Sequence, residues 1–213
     1  MTRPEVIGLF PIPFVRVPKA LPGTLVERLK QSGASGAEET NVKSSRLHHS
    51  TIADPENDPV YADAVTHLGP HLRSFGKLLF GQQLTWIVKE IWVNVMQTGG
   101  SQAIHSHSNS FASGIVFLTE TDTSARTVFH RDMGVREFVF ANAGQDVEMG
   151  PFNSTKWVAP PCGPGDLLLW PSYLLHEVPP NEGDVRMTMA FNAIPDRLDS
   201  WGYGIHLKPS TPR

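Results

Sequence analysis

The feature that most constrains the fold of this chain is a change of pattern after Gln83. From Thr85 to Met96 the residues alternate in a strand-like way, with Trp92 and Asn94 on the same face, because side chains along a strand point alternately to its two sides. Beyond this segment, glycine and proline (18 of each in the chain) divide the sequence into short pieces. Such punctuation is typical of many short strands joined by turns, so the second half predicts a β-rich fold.

The elements predicted from the pattern place helices first and strands afterwards. Apolar residues at helical spacing predict two helices, Leu21–Gln31 and Pro59–Leu79. They follow a short predicted strand at Val6–Phe14, which is broken by Pro11 and Pro13. Polar residues Ser32–Asp58 are predicted to be a loop, which we expect to cover the mouth of the barrel. The further predicted strands are Ser113–Leu118, Thr127–His130, Glu137–Phe140, Asp166–Trp170 and Val185–Ala193. This order predicts a helical layer packed on a β-barrel or sandwich.

We expect a single domain over residues 1–213, mainly β with N-terminal helices. Residues 1–83 are predicted to form the helical and loop layer, and residues 84–208 a two-sheet jelly roll. A mostly parallel sheet with crossover helices in residues 85–195 would contradict this prediction.

The bulk composition narrows the classes of partner and compartment. The 213 residues carry a net charge of −3 without a basic run, which disfavours nucleic acid as a partner. No apolar stretch approaches the roughly 20 residues that a membrane span needs, and the N-terminus lacks the apolar core of a signal peptide. The only cysteine, Cys162, cannot form an internal disulfide, so we expect a cytoplasmic protein. The oligomeric state is left open.

Three histidines are candidate metal ligands. His105 and His107 are separated by one residue, so in extended backbone both imidazoles point the same way. The polar, glycine-containing segment Gln97–Ser101 precedes them, so we expect the pair to lie near a strand entrance. By itself this H-x-H pair is a weak signal, since two surface histidines in a polar loop would look the same. His176 follows an apolar strand and a Pro-Ser turn, where a lone histidine is more often structural. Together, the three would hold a first-row metal such as iron, nickel or zinc and leave coordination positions open.

Arg186 and Thr188 are candidate anion-binding residues. Arg186 follows His176 by ten residues and shares a strand face with Thr188, while the opposite face is apolar. A guanidinium can bind a carboxylate through two hydrogen bonds, and the neighbouring hydroxyl can add a third. An isolated arginine is more often exposed to solvent, so this interpretation depends on the histidines nearby.

The order H-x-H, a gap of 68 residues, H, ten residues, R-x-T resembles the iron(II)- and 2-oxoglutarate-dependent oxygenases. More closely, the sequence is similar to a putative oxygenase group with motifs W-x-N, G, H-x-H and S-G, then P-S…H-x-V-x-P and R-x-S/T-x-x-F-N. The matching residues here are Trp92, Asn94, Gly99, His105, His107, Ser113, Gly114, Pro171, Ser172, His176, Val178, Pro180, Arg186, Thr188, Phe191 and Asn192. The early Leu9-Phe10-Pro11-x-Pro13 also fits.

The resemblance implies a double-stranded β-helix, or jelly roll, with iron(II) on His105, His107 and His176. It implies that Arg186 and Thr188 bind the distal carboxylate of 2-oxoglutarate. Asn94 is expected to contact 2-oxoglutarate, as an asparagine at similar spacing does in nucleic-acid demethylases of the superfamily; its alternative role is to cap a turn. The implied reaction couples decarboxylation of 2-oxoglutarate to hydroxylation of an unidentified small-molecule or peptide substrate.

Two departures from the superfamily pattern matter. His107 stands where most members have Asp or Glu, although the close group also has histidine there; Glu120 or Asp132 would be the acid to restore the usual triad. The aromatic pair that often follows S-G is Val116-Phe117 here, so any tyrosine hydrogen bond is lost.

Two other functions share this barrel. One is a cupin-like dioxygenase or isomerase that binds metal through histidines without 2-oxoglutarate, and the other is a non-catalytic jelly-roll module with a metal. Fold alone does not separate them. The Arg186-x-Thr188 pair favours the oxygenase, and three ligands with an open position argue against a closed structural site.

Overall fold

The computed structural model describes residues 5, 7–36, 39–40, 44–131 and 145–208. Its helices are α1 (Gly23–Gly36) and α2 (Pro59–Phe80), with a 3-10 turn at Thr123–Ala125. The strands are β1 (Val15–Val17), β2 (Glu39–Thr40), β3 (Ser44–His49), β4 (Trp86–His105), β5 (Ala112–Phe117), β6 (Val128–His130), β7 (Lys156–Val158), β8 (Leu167–Pro171), β9 (His176–Val178), β10 (Arg186–Pro195), β11 (Arg197–Ser200) and β12 (Tyr203–His206).

The strands form a curled antiparallel sheet. Its order is β1-β8-β5-β10-β4-β9-β6-β7, with β3 also paired to β4 and β2 to β3. Strands β11 and β12 form a separate hairpin. All the strand pairs in the described residues are antiparallel, and both α-helices lie before Gln83. The prediction of a mainly β fold with N-terminal helices is confirmed.

Strand β4 is longer than predicted because it continues through a bend after Met96. Its first half pairs with β10 and its last residues pair with β9. The bend lies at Gly99, which has a positive φ of 76°, and at Gly100, where a Cβ would lie only 2.7 Å from the carbonyl oxygen of Arg46. Because glycine has no Cβ, it tolerates both conditions. The bend carries β4 from one part of the barrel wall to another and delivers its end to β9.

The helices cover the outer face of β4, and its inner face lines the barrel. Ile91 and Val93 are 1% and 0% exposed and pack with the leucines of both helices. Trp92, on the alternate face, packs with the barrel interior instead. Helix α2 begins where the Asp58 side chain accepts a hydrogen bond from the Val60 backbone N–H at 2.9 Å, as an N-cap does. The alternation predicted from sequence therefore separates the helix-facing core from the cavity-facing wall.

Two predicted elements were wrong. Residues 7–14 contain no strand in the described part of the chain, and β1 begins at Val15. The reason is that Pro11 and Pro13 have no backbone N–H to donate to a ladder. The supposed loop Ser32–Asp58 contributes β3, which pairs with β4. Its polar sequence carries little strand signal, and the pairing depends on a distant strand edge and on the burial of Leu47, which is 0% exposed.

The predicted strand Glu137–Phe140 lies outside the described residues. Among the described residues, neither helix is long and apolar enough to cross a membrane.

Candidate metal centre

The three candidate ligands meet where β4 ends and β9 begins. His105 is the last residue of β4 and His176 the first of β9, and the two are directly opposite in the antiparallel register. His107 follows two residues later, with its backbone N–H donated to the carbonyl of Ser172 at 3.0 Å. The expectation that the H-x-H pair lies near a strand entrance was wrong: the bend at Gly99 lengthens β4 and puts the pair at the strand's exit.

The three imidazoles form a compact cluster. Their ring centroids are separated by 4.3 Å for His105 and His176, 5.1 Å for His105 and His107, and 5.2 Å for His107 and His176. One ring nitrogen from each lies within 4.8 Å of the others. Metal–imidazole bonds are roughly 2.0–2.1 Å long, so the three rings can share one ion after small side-chain shifts that bring their nitrogens closer together.

Backbone carbonyls fix two of the rings in a tautomer suited to metal binding. His105 Nδ1 lies 2.8 Å from the carbonyl oxygen of Ala103, and His176 Nδ1 lies 2.9 Å from that of Leu174. A carbonyl only accepts, so each Nδ1 carries the proton and each Nε2 keeps a lone pair. Such bonds to the far nitrogen orient metal-binding histidines.

Burial keeps the two inner histidines neutral. Desolvation, reinforced by the neighbouring His105, lowers the pKa of His107 to about 4 and that of His176 to about 3. Both imidazoles are therefore unprotonated at neutral pH, as metal ligands must be.

The metal-free protein should lose stability on mild acidification. Unfolded histidines titrate near pH 6.5, whereas His107 and His176 in the folded state stay neutral down to about 4 and 3. Below about pH 6.5 the unfolded state therefore binds more protons, which lowers the free energy of unfolding. Between pH 7 and 5 the expected loss is about 2 kcal/mol for each histidine. Urea unfolding of the metal-free protein at the two pH values measures it.

The control for this prediction is the double variant His107→Asn/His176→Asn. Its free energy of unfolding should change much less over the same interval, because neither asparagine takes up a proton. Equal losses in the variant and the wild type would mean that other groups cause the acid sensitivity.

A cavity opens beside the histidine cluster. The structure brings all six residues selected from sequence to its wall: His105, His107, His176, Asn94, Arg186 and Thr188. The metal-binding end is polar, while much of the remaining wall is aromatic and aliphatic. A mostly apolar concave site with a few convergent polar groups is the usual form of a small-molecule pocket.

Arg186 is buried at the wall of this cavity, and no ion pair to it is found among the residues that the structure describes. Its side chain comes from the first residue of β10 and the residue is 3% exposed. Within the described residues, Nε and Nη2 have no hydrogen-bond partner, and the guanidinium carbon lies 5.5 Å from the ring centroid of Phe117. Burial lowers the pKa of Arg186 to about 10, so the group remains cationic at neutral pH. A buried cation with unused donors is costly unless an anion meets it.

Besides Arg186, three side chains with polar atoms that face the cavity are those of Asn94, Thr127 and Trp170. Asn94 accepts a hydrogen bond from Trp92 Nε1 at 3.0 Å through its amide oxygen. Thr127 and Trp170 are each 2% exposed, and Thr127 Oγ1 and Trp170 Nε1 have no partner in the described part of the chain. The sequence analysis did not select Thr127 or Trp170 as residues of the site. Thr127 belongs to no motif, and Trp170 looks like one more core residue of an apolar strand.

The acids considered as substitutes for His107 do not join the cluster in the described residues. Glu120 is exposed, and its carboxylate lies beside Gly163. Asp132 lies outside the described residues. The candidate ligand set found by geometry is therefore three histidines.

A protein-family model matches the part of the chain that carries the site. Residues 90–192 match the family model described as "Putative 2OG-Fe(II) oxygenase", a segment that contains all six candidate site residues. Over this segment the chain is similar to the 2OG-Fe(II) oxygenases. A comparison with curated proteins found no match.

Several solved structures share the fold at low sequence identity. HygX from Streptomyces hygroscopicus, with nickel and 2-oxoglutarate bound, superposes with a TM-score of 0.63 at 14% identity, over 86% of this chain and 83% of that one. A Pseudomonas putida prolyl-4-hydroxylase gives 0.58 at 15%, over 85% and 92%. The epimerase SnoN from nogalamycin biosynthesis gives 0.62 at 12%, over 87% and 80%. These similarities confirm the predicted double-stranded β-helix.

The residues present fit the cofactors of this oxygenase family, iron(II) and 2-oxoglutarate. Three imidazoles suit first-row metals, iron and nickel among them, and leave positions for small molecules. At the cavity wall, Arg186 provides unused donors for an anion.

Proposed function

We propose that this protein is a 2-oxoglutarate- and iron(II)-dependent oxygenase of the H-x-H…H…R-x-S/T subgroup and that it hydroxylates a small-molecule or peptide substrate. In this proposal His105, His107 and His176 hold iron(II). Arg186 and Thr188 bind the distal carboxylate of 2-oxoglutarate, and Asn94 provides a further contact to it.

The observation that carries the proposal is the buried guanidinium of Arg186, whose Nε and Nη2 have no hydrogen-bond partner among the described residues. Without an anion, the desolvation of this buried cation is not compensated. The cost of an unpaired buried ion is several kcal/mol. A dicarboxylate that reaches both the histidine cluster and Arg186 removes that penalty. A neutral ligand, or a metal alone, does not.

Thr188 is suited to help Arg186 because both side chains project from the same face of β10. Residues two apart on a strand share a face, and Thr188 is 1% exposed at the cavity wall. Its hydroxyl can donate to a carboxylate oxygen beside the guanidinium. Asn94, on the facing position of β4, is the cross-strand partner of Thr188. Since its amide oxygen is bonded to Trp92, a contact to the cosubstrate would come from the amide nitrogen.

When bound, iron(II) and 2-oxoglutarate would allow dioxygen to act as the oxidant, with one oxygen atom entering succinate as carbon dioxide leaves and the other entering a C–H bond of the substrate. The chain's part is to bind, orient and exclude water. Trp170 packs 5.1 Å from the ring of His176, and Phe129 packs 5.8 Å from it, so one side of the metal centre is closed to solvent. Three neutral imidazoles leave the +2 charge of the ion uncompensated, which favours binding of an anionic cosubstrate.

The proposed reaction and substrate class come from the sequence resemblance. The similar structures include an epimerase and a prolyl-4-hydroxylase, so this fold serves more than one reaction outcome. Hydroxylation is proposed here because it is the reaction that the sequence resemblance implies.

Succinate formation tests the proposal. Iron(II)-loaded protein should convert 2-oxoglutarate to succinate slowly alone, and faster with a true substrate. The rate should fall to background in the variant Arg186→Ala with iron still bound. Metal binding without any 2-oxoglutarate binding or succinate, across a panel of small molecules and peptides, would favour the cupin-like alternative instead.

A further inference from the structure

Buried polar atoms that lack a hydrogen-bond partner are concentrated at the cavity. Among the described residues, eight buried side-chain nitrogen or oxygen atoms have no such partner. Four of them belong to three residues that line the cavity: Nε and Nη2 of Arg186, Oγ1 of Thr127 and Nε1 of Trp170. A buried donor without an acceptor is destabilising. Several of them around one cavity therefore indicate a ligand that supplies the acceptors.

Trp170 lies at the metal end of the cavity. It is in β8, and its ring centroid lies 5.1 Å from that of His176 and 5.2 Å from that of Phe129. The residue is 2% exposed, so bulk solvent does not satisfy the indole nitrogen. An indole N–H can only donate a hydrogen bond. Since Trp170 lines the cavity, a ligand bound there can supply the acceptor that the described residues do not.

Thr127 continues the same wall away from the metal centre. Phe129 is opposite His176 in the pairing of β6 with β9, and its ring centroid lies 5.8 Å from that of His176. Thr127 precedes Phe129 by two residues, and its carbonyl accepts a hydrogen bond from the Ala159 N–H at 2.9 Å, which continues the pairing of β6 with β7. Side chains two residues apart on a strand share a face and are separated by roughly 7 Å. Trp170 and Thr127 are therefore placed at different depths of one cavity.

The four atoms define the chemistry of the ligand. Nε and Nη2 of Arg186 and Nε1 of Trp170 can only donate, and the hydroxyl of Thr127 can also donate. An apolar ligand, or one with a single acceptor, would leave most of these donors unsatisfied. A molecule of 2-oxoglutarate carries two carboxylates and a keto group, so it can meet donors at both depths of the cavity and still reach a metal ion.

We propose that Trp170 and Thr127 are cosubstrate-binding residues, which donate hydrogen bonds to the 2-oxoglutarate molecule that Arg186 anchors. This assignment rests on the proposed function, because it takes 2-oxoglutarate as the occupant. Trp170 meets an oxygen atom at the metal end, and Thr127 meets one farther along the cavity. The three residues lie on β8, next to β6 and on β10. A few polar groups that converge on a ligand from separate elements fix its orientation as well as its affinity.

The test removes each donor and keeps the shape of its side chain. Trp170→Phe removes the indole N–H but keeps an aromatic ring, and Thr127→Val removes the hydroxyl but keeps the branched side chain. Calorimetric titration of 2-oxoglutarate into anaerobic, iron(II)-loaded protein measures the affinity of each variant. We expect each substitution to weaken binding about 10-fold or more, as for the loss of one hydrogen bond to a charged group.

Trp86→Phe and Thr121→Val are the matched controls. Trp86 Nε1 and Thr121 Oγ1 are also buried without a hydrogen-bond partner among the described residues, but neither residue lines the cavity. Each control makes the same chemical change at another place in the fold. Both controls should leave the affinity for 2-oxoglutarate unchanged. Equal weakening in a control and in its cavity counterpart would overturn the assignment, because a general effect on the fold would then explain both.

Metal content and Arg186→Lys distinguish failure of this inference from failure of the proposed function. Trp170→Phe and Thr127→Val should each retain one iron(II) per chain, because neither residue belongs to the histidine cluster. Loss of the metal from Trp170→Phe would overturn its assignment, since the residue would then act through His176. If either variant binds 2-oxoglutarate as the wild type does while Arg186→Lys binds it weakly, the proposed function stands and that residue's assignment is wrong. If the iron-loaded wild type does not bind 2-oxoglutarate, the proposed function itself is wrong.

Discussion

Replacing His176 by alanine is expected to abolish metal binding and, with it, all conversion of 2-oxoglutarate. His176 is 5% exposed, its Nδ1 is fixed by a carbonyl, and its ring is only 4.3 Å from that of His105. Among the described residues, no other His, Cys, Asp or Glu side chain belongs to the cluster and could replace it. The loss of metal affinity should exceed the roughly 10- to 100-fold cost of changes in outer-shell residues. Metal content after reconstitution with iron(II), measured with succinate formation, tests this expectation.

His130→Ala is the matched control. His130 lies on β6 next to the metal centre, but its Nε2 is 2.9 Å from Glu177 Oε1, and it is not in the histidine cluster. This variant should retain one metal ion per chain. Excess 2-oxoglutarate should not rescue His176→Ala, because the defect is in the metal rather than in the cosubstrate. A His176→Ala protein that still binds one ion tightly would contradict the proposed ligand set.

Local rules were sufficient to predict the faces of the strands that build the cavity. Alternation along β4 put Trp92 and Asn94 on one face and Ile91 and Val93 on the other, and the structure places these pairs in the cavity wall and in the helix-facing core. The same rule put Arg186 and Thr188 on one face of β10. Two-residue spacing is enforced by the backbone itself, so these predictions did not depend on knowing the fold.

Long-range pairing could not be derived from sequence in the same way. Strand β3 has a polar sequence and exists because the edge of β4 accepts it. The bend at Gly99 and Gly100 extends β4 to meet β9, and it decides that His105 lies opposite His176. Sequence spacing placed the H-x-H pair at the wrong end of a strand, because nothing local to it reveals that the preceding glycines continue a strand rather than end it.

The polar groups that sequence reasoning missed share one property. Thr127, Trp170 and Glu90 lie at the site because of neighbours that are distant in sequence. The Glu90 carboxylate, for example, accepts a hydrogen bond from Asn192, which is 102 positions away. Each looks ordinary in its own segment. Asn192, Ser113 and Ser172 were noticed as parts of motifs, yet the hydrogen bonds that join their side chains become visible only when the strands are assembled side by side.

The second large effect is expected for Arg186→Lys, which should weaken 2-oxoglutarate binding while iron(II) binding is kept. Lysine preserves the charge but not the planar fork that meets two carboxylate oxygens at once. Losing one hydrogen bond to a charged group costs about 1.5–3 kcal/mol, equivalent to about 10- to 140-fold in the dissociation constant. Calorimetric titration of 2-oxoglutarate into anaerobic, iron(II)-loaded protein measures this change directly.

Arg16→Lys provides the control for this substitution. Arg16 also pairs through its guanidinium, with Asp166 at 2.8 Å, but it does not line the cavity. Its replacement should leave the 2-oxoglutarate affinity within about twofold of the wild type, because neither Arg16 nor Asp166 lines the cavity. The pattern expected from the two variants is specific to a carboxylate held in the barrel. If Arg186→Lys binds 2-oxoglutarate as tightly as the wild type, or if neither protein binds it, the buried guanidinium serves another anion. The metal centre would then operate as in the cupin-like alternative, without 2-oxoglutarate.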